Sequence, residues 1–268
     1  MDRSRMNISI IGPGRAGGAI AIAATAAGHR ITSIDGRNAD AVAYLASIVD
    51  VEPATPDLRI IAVSDDAIGE VAERVAREGG TTPTVHVSGA VQTLVLDPIA
   101  ATGVQVGSLH PLQTLPDPER GAARLDGAWM AVTADEPLRS MLHDFAASLG
   151  CHPFDLDDDV KPLYHAGAAA AANFTLTTLD LALALFEAAG VPFEAARPLV
   201  EAIVAHAFEL GPAGALTGPV ARGDAATVAT QIEAIRRQVP QAESLFVDLA
   251  RSTAKLAGTA DVIEEALQ

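Results

Sequence analysis

Three kinds of residue are scarce in this sequence: cysteine, aromatic residues and basic residues. A single cysteine, Cys151, excludes a disulfide within the chain and is typical of a reducing compartment, where a lone thiol is usually a small buried side chain. Aromatic residues make up 4% of the 268 residues, although 49% of the chain is hydrophobic. This balance favours helices that pack closely through alanine, in a chain long enough for two domains.

Basic residues are outnumbered by acidic ones. Lysine and arginine number 18 against 34 aspartate and glutamate residues, which gives a net charge of −16. Such a chain repels nucleic acids and anionic membrane surfaces, so we expect neither as a partner. Residues 8–11 are too few for the core of a signal peptide, and the alanine-rich residues 166–172 are too few to span a bilayer. We therefore expect a soluble cytoplasmic protein.

The first half of the sequence alternates short β-rich runs with helical stretches, the pattern of βαβ units. Predicted helices include residues 17–27, 67–78 and 136–149, and each is followed by a glycine that can end it. The pattern predicts an α/β domain with a doubly wound, mostly parallel sheet. Its predicted strands cover residues 8–11, 30–34, 58–63, 84–87, 104–109, 129–133 and 152–156.

The sequence changes character after the three aspartates at 157–159. No β-rich run follows them, and residues 160–189 form an almost unbroken helical pattern. A break is expected at Gly211–Pro212 and a loop at residues 216–223. We therefore place an α/β domain at residues 1–157 and an all-helical domain at residues 158–268. Further helices are predicted at residues 193–209, 224–238 and 240–257.

A G-x-G-x-x-G motif lies between the first predicted strand and the first predicted helix. Its Gly12 permits a tight turn, Gly14 lets the backbone approach a pyrophosphate, and Gly17 lets the helix pack against the strand. Arg15 and Ala16 open the helix, whose N-terminal amides attract phosphate. In this βαβ setting the motif predicts a dinucleotide-binding domain.

The end of the second predicted strand bears on which dinucleotide is bound. Asp35 lies 18 residues after Gly17, where a carboxylate accepts hydrogen bonds from the ribose of NAD. Arg37 instead suits the 2′-phosphate of NADP, so the sequence leaves NAD and NADP open. Further cofactor contacts are expected where the next two strands end, at Val63, Ser64, Ser88 and Gly89.

Three later motifs carry a resemblance to a known family: GSLHPLQT at residues 107–114, LYHAGAAAAAN at 163–173 and LTGPVARGD at 216–224. With the phosphate loop, they make the chain similar to Rossmann-like proteins that carry a C-terminal domain of unknown function, DUF2520. These proteins are relatives of pyrroline-5-carboxylate reductase, ketopantoate reductase and the β-hydroxyacid dehydrogenases. The resemblance implies a helical C-terminal domain like that of 6-phosphogluconate dehydrogenase, homodimerisation, and an NAD(P)-linked reduction.

Reduction of a carbonyl by hydride needs a proton donor and groups that orient the substrate. The resemblance makes His165 the candidate donor, because ketopantoate reductases have a lysine on the corresponding helix and this helix has none past Lys161. Asn173 and His110 are the candidate positioning groups. In a regular α-helix, His165 and Asn173 differ by about 80° in azimuth and roughly 12 Å in rise. Hydrogen bonding between helices is the structural alternative for both.

Two further residues are candidate substrate contacts. Gln113, next to Thr114, lies on the loop that carries His110. Arg222 could hold a substrate carboxylate or pair with an acidic residue of the chain, and Asp224 suits the N-cap of the helix that follows. Histidine and cysteine residues lack the spacing of a metal site, so we expect no metal.

The sequence therefore predicts an enzyme, an NAD(P)H-dependent oxidoreductase that reduces a small keto acid in the manner of ketopantoate reductase, or a related carbonyl. Reduction of an imine, of the pyrroline-5-carboxylate type, is one alternative. A dinucleotide-binding sensor without catalytic activity is an alternative of another class. The expected partners are a small-molecule substrate and a second copy of the chain.

Overall fold

The strands form where short apolar runs lie between turns. The computed structural model describes residues 5–267, and its strands are β1 (Asn7–Ile11), β2 (Arg30–Asp35), β3 (Leu58–Ile61), β4 (Thr84–His86), β5 (Val106–Pro111), β6 (Trp129–Ala134) and β7 (His152–Asp155). They make one sheet in the order β2-β1-β3-β4-β5-β6-β7. Only β5 and β6 pair antiparallel among these neighbours. The predicted α/β fold with a mostly parallel sheet is confirmed.

The chain divides into two compact units, Met1–Ala170 and Ala171–Gln268, and the first unit holds the sheet. Glycines with positive φ follow α1, α3 and α6, as the sequence predicted, because a left-handed residue readily ends a helix. The helices of this unit are α1 (Arg15–Ala26), α2 (Ala39–Ile48), α3 (Ile68–Glu78), α4 (Asp97–Ala100), α5 (Pro118–Ala123), α6 (Leu138–Ser148) and α7 (Lys161–Ala169).

The core of the first unit lies on both faces of the sheet. Ile10 and Ile11 are neighbours on β1, yet they belong to two different apolar clusters. Successive side chains of a strand point to opposite faces, so both faces of β1 are covered. The larger cluster includes Phe145 of α6, which is 1% exposed. Cys151 also lies there, and burial raises the pKa of its thiol to about 11, which makes a thiolate unfavourable.

The second unit is helical within its described residues. Its two apolar clusters include Ile232 and Ala250 in one and Leu181 and Ile235 in the other, so α11 contributes to both. The helices are α8 (Thr175–Ala188), α9 (Arg197–Ala215), α10 (Gly218–Arg222), α11 (Ala225–Gln238), α12 (Glu243–Ala257) and α13 (Ala260–Ile263).

Three local features refine the predicted helices. Gly211 has φ 75°, which breaks α9 where the sequence predicted a break. Residues 216–223 were expected to form a loop, but a one-turn helix, α10, occupies them, with Pro219 in its first turn and the left-handed Gly223 at its end. The predicted helix at 160–189 contains a π-helical segment, Ala170–Phe174.

Two helical stretches, Asp158–Ala188 and Phe193–Arg222, are long and apolar enough to cross a membrane when only length and composition are considered. In an apolar window of 18 residues within each stretch, only 6% of the residues are buried, so the apolar side chains there are not covered. The prediction from residues 166–172 alone underestimated this apolar length, because it left out the leucine-rich α8.

Candidate functional site

The carboxyl ends of parallel strands meet at one edge of the sheet. β1 to β5 are parallel to one another, and the sequence-predicted residues Gly12, Asp35 and His110 lie at the carboxyl ends of three of them. The chain order reverses between β1 and β3, which lie side by side in the sheet. In open α/β sheets, ligands bind outside the strand ends at such a reversal.

The phosphate loop has the geometry that its glycines predicted. Gly12 has φ 102°, and a Cβ there would lie 2.4 Å from the carbonyl oxygen of Ala62. A Cβ on Gly17 would lie 2.0 Å from the carbonyl oxygen of Gly12, so α1 packs directly on the turn. A Cβ on Gly14, by contrast, would meet nothing within 4 Å. The backbone at Gly14 is therefore open to a ligand.

The N-terminus of α1 suits an anion. Gly14 is its N-cap residue and supplies no capping side chain, and no acidic residue lies in the first turn, which Arg15 and Ala16 begin. The first amides of a helix lack partners within the helix and carry partial positive charge, so a phosphate group satisfies both. These features fit the pyrophosphate of a dinucleotide.

A cleft of about 540 Å³ extends from this loop across the ends of β1 to β3. Its polar lining includes the predicted Asp35 and Arg37 and two arginines of α3, Arg74 and Arg77. Val63 also lines it, whereas Ser64 lies on the surface beside it. The cleft is thus lined by three arginines against two acidic residues, Asp35 and Glu70, in a protein that is strongly acidic as a whole.

The Asp35 carboxylate is already engaged in this cleft. Arg74 Nη2 lies 2.6 Å from Asp35 Oδ2, and its Nη1 lies 3.0 Å from Glu78 Oε1. Arg37 makes no ion pair within residues 5–267. The contact from α3 was not predicted, because Arg74 lies 39 residues from Asp35 in the sequence.

A second group of polar side chains surrounds His110 at the end of β5. Its Nδ1 is 2.7 Å from the hydroxyl of Tyr164 on α7, with the two rings nearly perpendicular at 89°. The ring of His165 lies near that of His110, with the two ring centroids 6.4 Å apart. A Cβ on Gly89 would lie 2.6 Å from Cε1 of His110, so only glycine lets the imidazole pack against this backbone. Two predicted residues, His110 and Gly89, are therefore in contact.

Lys161 at the start of α7 lies beneath this group and was not predicted as a site residue. It is 1% exposed, and its Nζ donates hydrogen bonds to Ser108 Oγ at 2.5 Å and to the Val91 carbonyl at 2.9 Å. The carboxylate of Asp158 lies 3.6 Å away and accepts a hydrogen bond from the Thr93 amide at 2.9 Å. The aspartates at 157–159 therefore include a fixed ion-pair partner.

Burial controls the charge of the two histidines in this region. Burial, followed by the charges of His165 and Lys161, lowers the pKa of His110 to about 4. Burial and the Lys161 ammonium lower the pKa of His86 to about 3. The amide of Ser88 donates to His86 Nδ1 at 3.1 Å, as a neutral imidazole allows. Burial raises the pKa of Tyr164 to about 12, so the phenol keeps its proton at neutral pH.

The other residues predicted around His110 are held locally. Ser88 Oγ accepts hydrogen bonds from the amides of Ala90 and Val91, which shapes the turn after β4. Gln113 is exposed, and its Oε1 accepts a hydrogen bond from the Thr114 amide at 2.8 Å. Both residues lie at the same sheet edge as His110, although neither contacts its ring.

Asn173 and Arg222 lie in the second unit. Asn173 is exposed within the π-helical segment Ala170–Phe174, a rare geometry that is frequent at functional sites. The azimuth predicted for Asn173 assumed a regular α-helix and is wrong, because a π turn adds a residue. Arg222 ends α10, and Asp224 caps α11 as predicted, accepting a hydrogen bond from the Thr227 amide at 3.1 Å.

The pKa of Asp224 is lowered mainly by its hydrogen bonds with Thr227 and to a smaller extent by Arg222. Arg222 thus already has an acidic neighbour. Among the described residues, no group of three or more His, Cys, Asp or Glu side chains has a geometry that could hold a metal ion.

The fold and its phosphate loop define a Rossmann-type α/β protein with a helical C-terminal region. Family models match both parts: residues 1–111 match a Rossmann-like domain, and residues 128–253 match the domain of unknown function DUF2520. The two matches confirm the resemblance inferred from the sequence: a Rossmann-like domain is followed by a DUF2520 domain. No functionally curated protein matches the sequence.

Solved structures of related fold cover almost the whole chain. A Bacteroides fragilis protein, provisionally assigned as an NADP oxidoreductase, is 23% identical, with a TM-score of 0.79 over 94% of this chain and 99% of that one. A Streptomyces aurantiacus imine reductase is 17% identical, with a TM-score of 0.71 over 98% and 99%. A 1-pyrroline-5-carboxylate reductase from Streptococcus pyogenes is 19% identical, with a TM-score of 0.62 over 98% and 99%. At these identities the likeness establishes the fold.

The buried histidines predict that acid destabilises the first unit. A histidine whose pKa is lowered by folding contributes stability that is complete above its unfolded pKa of about 6.5 and is lost as the pH falls toward the folded value. On lowering the pH from 7.5 to 5, the free energy of unfolding should fall by about 2 kcal/mol for each of His86 and His110. Urea unfolding followed by the fluorescence of Trp129, the one tryptophan, measures this at pH 7.5, 6 and 5.

The window between pH 6.5 and 5 lies above the ordinary pKa values of carboxyl groups, so the loss there reports mainly histidines. His110→Asn, which cannot gain a proton, should reduce the slope by about one such contribution. Equal unfolding free energies at pH 7.5 and pH 5 in the unmodified protein would contradict the assignment of neutral buried imidazoles.

Proposed function

We propose that this protein is an NAD(P)H-dependent reductase of a small molecule that contains a C=O or C=N bond. One observation carries the proposal. The anion-binding loop at Gly12–Gly17 and the histidine–tyrosine group at His110 lie along the same carboxyl edge of one sheet. The loop suits the pyrophosphate of a dinucleotide, and the His110 group supplies protons next to the turn at Gly89, where the nicotinamide is expected.

A reduced nicotinamide, when bound, supplies the hydride for such a reaction. The residues of this chain have three tasks: they hold the pyrophosphate on the amides that open α1, they orient the substrate, and they protonate its heteroatom. His165 is the donor expected from the sequence, and Tyr164, through its phenol hydroxyl, is a second candidate in the same group. Asn173, His110, Gln113 and Arg222 are the proposed substrate-orienting residues.

The proposed reductase has two candidate classes of substrate, imines and keto acids. Reduction of a C=N bond gains support from the fold neighbours, two of which carry the names imine reductase and pyrroline-5-carboxylate reductase. The ketopantoate-like version requires a cation for the substrate carboxylate. Lys161 is already occupied by Ser108, Val91 and Asp158. Arg15 and Arg222 are the remaining candidates from the sequence, and Arg222 has Asp224 beside it. We therefore place imine reduction first.

Turnover tests the proposal directly. Purified protein with NADPH should oxidise the cofactor when a cyclic imine is added from a panel that also contains 2-keto acids. If keto acids are the substrates instead, Arg15→Glu or Arg222→Glu should raise KM by about tenfold or more, the value of a lost charge-assisted hydrogen bond. Cofactor binding without turnover across the panel would support the sensor alternative, for which His165→Ala should have no effect.

The arginines of the cleft favour NADP over NAD as the cofactor. A carboxylate that recognises the ribose hydroxyls of NAD must be free to accept their hydrogen bonds. Arg74 already pairs with Oδ2 of Asp35 at 2.6 Å, which leaves Oδ1 as the freer oxygen for a ribose hydroxyl. Arg37 has no ion-pair partner among the described residues, whereas Arg77 lies 3.7 Å from Glu73, so Arg37 is the guanidinium most available to bind a phosphate. We propose that Arg37 contacts the 2′-phosphate.

Replacing Arg37 by alanine should then weaken NADPH specifically. We expect the Kd for NADPH to rise about 10- to 100-fold, the value of a charge-assisted hydrogen bond, and the Kd for NADH to change by less than about twofold. Titrations followed by nicotinamide fluorescence measure both constants. Arg120→Ala, at a 77% exposed arginine outside the cleft, is the matched control. An equal loss of affinity for both cofactors would contradict the assignment.

We also propose that the protein is a homodimer formed through its second unit. Large apolar side chains are exposed there along α8 and α9, more than isolated surface residues account for. A second copy of the chain is the partner that would cover them, and a dimer of this kind agrees with the predicted cytoplasmic location. The most exposed of these side chains are Phe174, Leu176, Leu199, Phe208 and Leu210.

Phe208 is 90% exposed, so a charge there should disrupt assembly without disturbing the fold of the unit. We expect light scattering to give the mass of a dimer for the unmodified protein and that of a monomer for Phe208→Glu. Leu256→Glu, at a 49% exposed leucine outside both apolar stretches, should remain dimeric. A monomeric unmodified protein, or one that sediments with added phospholipid vesicles, would count against the dimer.

A further inference from the structure

Tyr164 is the one described side chain that forms a hydrogen bond with the imidazole of His110. Its hydroxyl lies 2.7 Å from Nδ1, and edge-to-face packing at a centroid distance of 5.5 Å fixes the two rings. Phe154 packs against the ring of Tyr164, with the two ring centroids 6.1 Å apart. Because Gly89 confines His110 and Phe154 confines Tyr164, the pair has a defined geometry before any ligand binds.

The side chain of His165 is not held in place by comparable contacts. It is exposed and makes no hydrogen bond within the described chain, and its nearest aromatic neighbour is His110 at 6.4 Å. An effective acid must be held within hydrogen-bonding reach of the atom that it protonates. Tyr164 is held in a fixed position, as such an acid must be, whereas His165 is not.

The His110 imidazole can return a proton to Tyr164. Its Nδ1 faces the phenol, whereas its Nε2 makes no hydrogen bond and is not enclosed by the described residues, so water reaches it. Lys161 keeps this arrangement in place from both sides, since it holds Ser108 on the strand of His110 and Val91 in the turn of Gly89. We regard Lys161 as a positioning residue.

We propose that Tyr164 is the proton donor of this site and that His110 restores its proton from water. This inference rests on the proposed reductase function. As the substrate carbon accepts hydride, the π bond to its oxygen or nitrogen breaks, and that atom takes the proton of the Tyr164 hydroxyl. The phenolate then takes the Nδ1 proton of His110 while Nε2 takes a proton from water, which leaves hydroxide to the solvent. Exchange of the ring proton with water restores the Nδ1–H tautomer before the next turnover. Each turnover consumes one hydride and one solvent proton.

The hydrogen-bonded pair can be observed without turnover. The chain has 2 tyrosines, so Tyr44→Phe leaves Tyr164 alone, and 3-fluorotyrosine incorporated into this variant gives one ¹⁹F signal. We expect that signal to shift between pH 7 and pH 4 as His110 titrates, near its pKa of about 4. His110→Asn should abolish the shift. His165→Asn, the matched control at the residue that follows Tyr164, should preserve it.

Kinetics then test the chemical role. With the imine or carbonyl found in the panel, Tyr164→Phe should lower kcat by about 100-fold or more, the ordinary contribution of a positioned acid. The Kd for NADPH should stay within about twofold, since the phenol is not required to hold the cofactor. Tyr164→Phe should lower kcat more than His165→Asn does, and the reverse order would overturn the choice of Tyr164 as the donor.

Each outcome decides between the two proposals. If the pH-dependent shift of the ¹⁹F signal is the same in His110→Asn, the Tyr164–His110 pair is overturned, whether or not the protein is a reductase. An intact pair with full activity in Tyr164→Phe overturns the donor role and leaves the reductase standing. An intact pair in a protein that turns over no member of the panel overturns the reductase function and the donor role together.

Discussion

The buried ammonium group of Lys161 is the interaction on which the arrangement of the site depends. Removing a charge from water is costly unless partners replace the lost hydration. Here Ser108, Val91 and the Asp158 carboxylate take that place, and burial still lowers the pKa of the lysine. These partners belong to a strand, a turn and the start of α7, so one cation fixes three segments. Loss of Lys161 would release each of them.

The fold could be predicted well from the sequence because its signals are local. The apolar run before Gly12 and the glycine after α3 each act within a few residues, and all seven predicted strands are present with ends that differ by one or two residues. The short helix α10 was missed because Gly218 and Pro219 are typical of a turn as well as of a helix start.

The candidate site was only partly predictable, for the opposite reason. The three glycines of the phosphate loop could be identified because each satisfies a steric need of its own turn. The contact of Lys161 with Ser108 spans 53 residues, and that of Tyr164 with His110 spans 54. Nothing near Tyr164 in the sequence indicates a histidine across the fold. The π turn at Asn173 was equally hidden, since alanine-rich sequence suits a regular α-helix.

Charge is distributed unevenly in this protein. The chain as a whole is acidic, yet Arg37, Arg74 and Arg77 meet at one cleft beside the phosphate loop. Acidic partners lie beside Arg74 and Arg77, so Arg37 is the arginine whose charge is most available to attract an anionic ligand to the cleft. The net charge of the chain therefore does not decide whether a small phosphorylated ligand binds, because the charge of the cleft itself matters more.

The uncapped start of α1 has a consequence for the life of the protein in a cell. Without a capping side chain or an acidic residue in its first turn, α1 offers exposed amides that only water satisfies until a ligand replaces it. A ligand that binds only the folded state stabilises it in proportion to the logarithm of its concentration above Kd. With the proposed cofactor as that ligand, the amount of folded protein would follow the supply of the dinucleotide, and starvation for it would expose the chain to proteolysis.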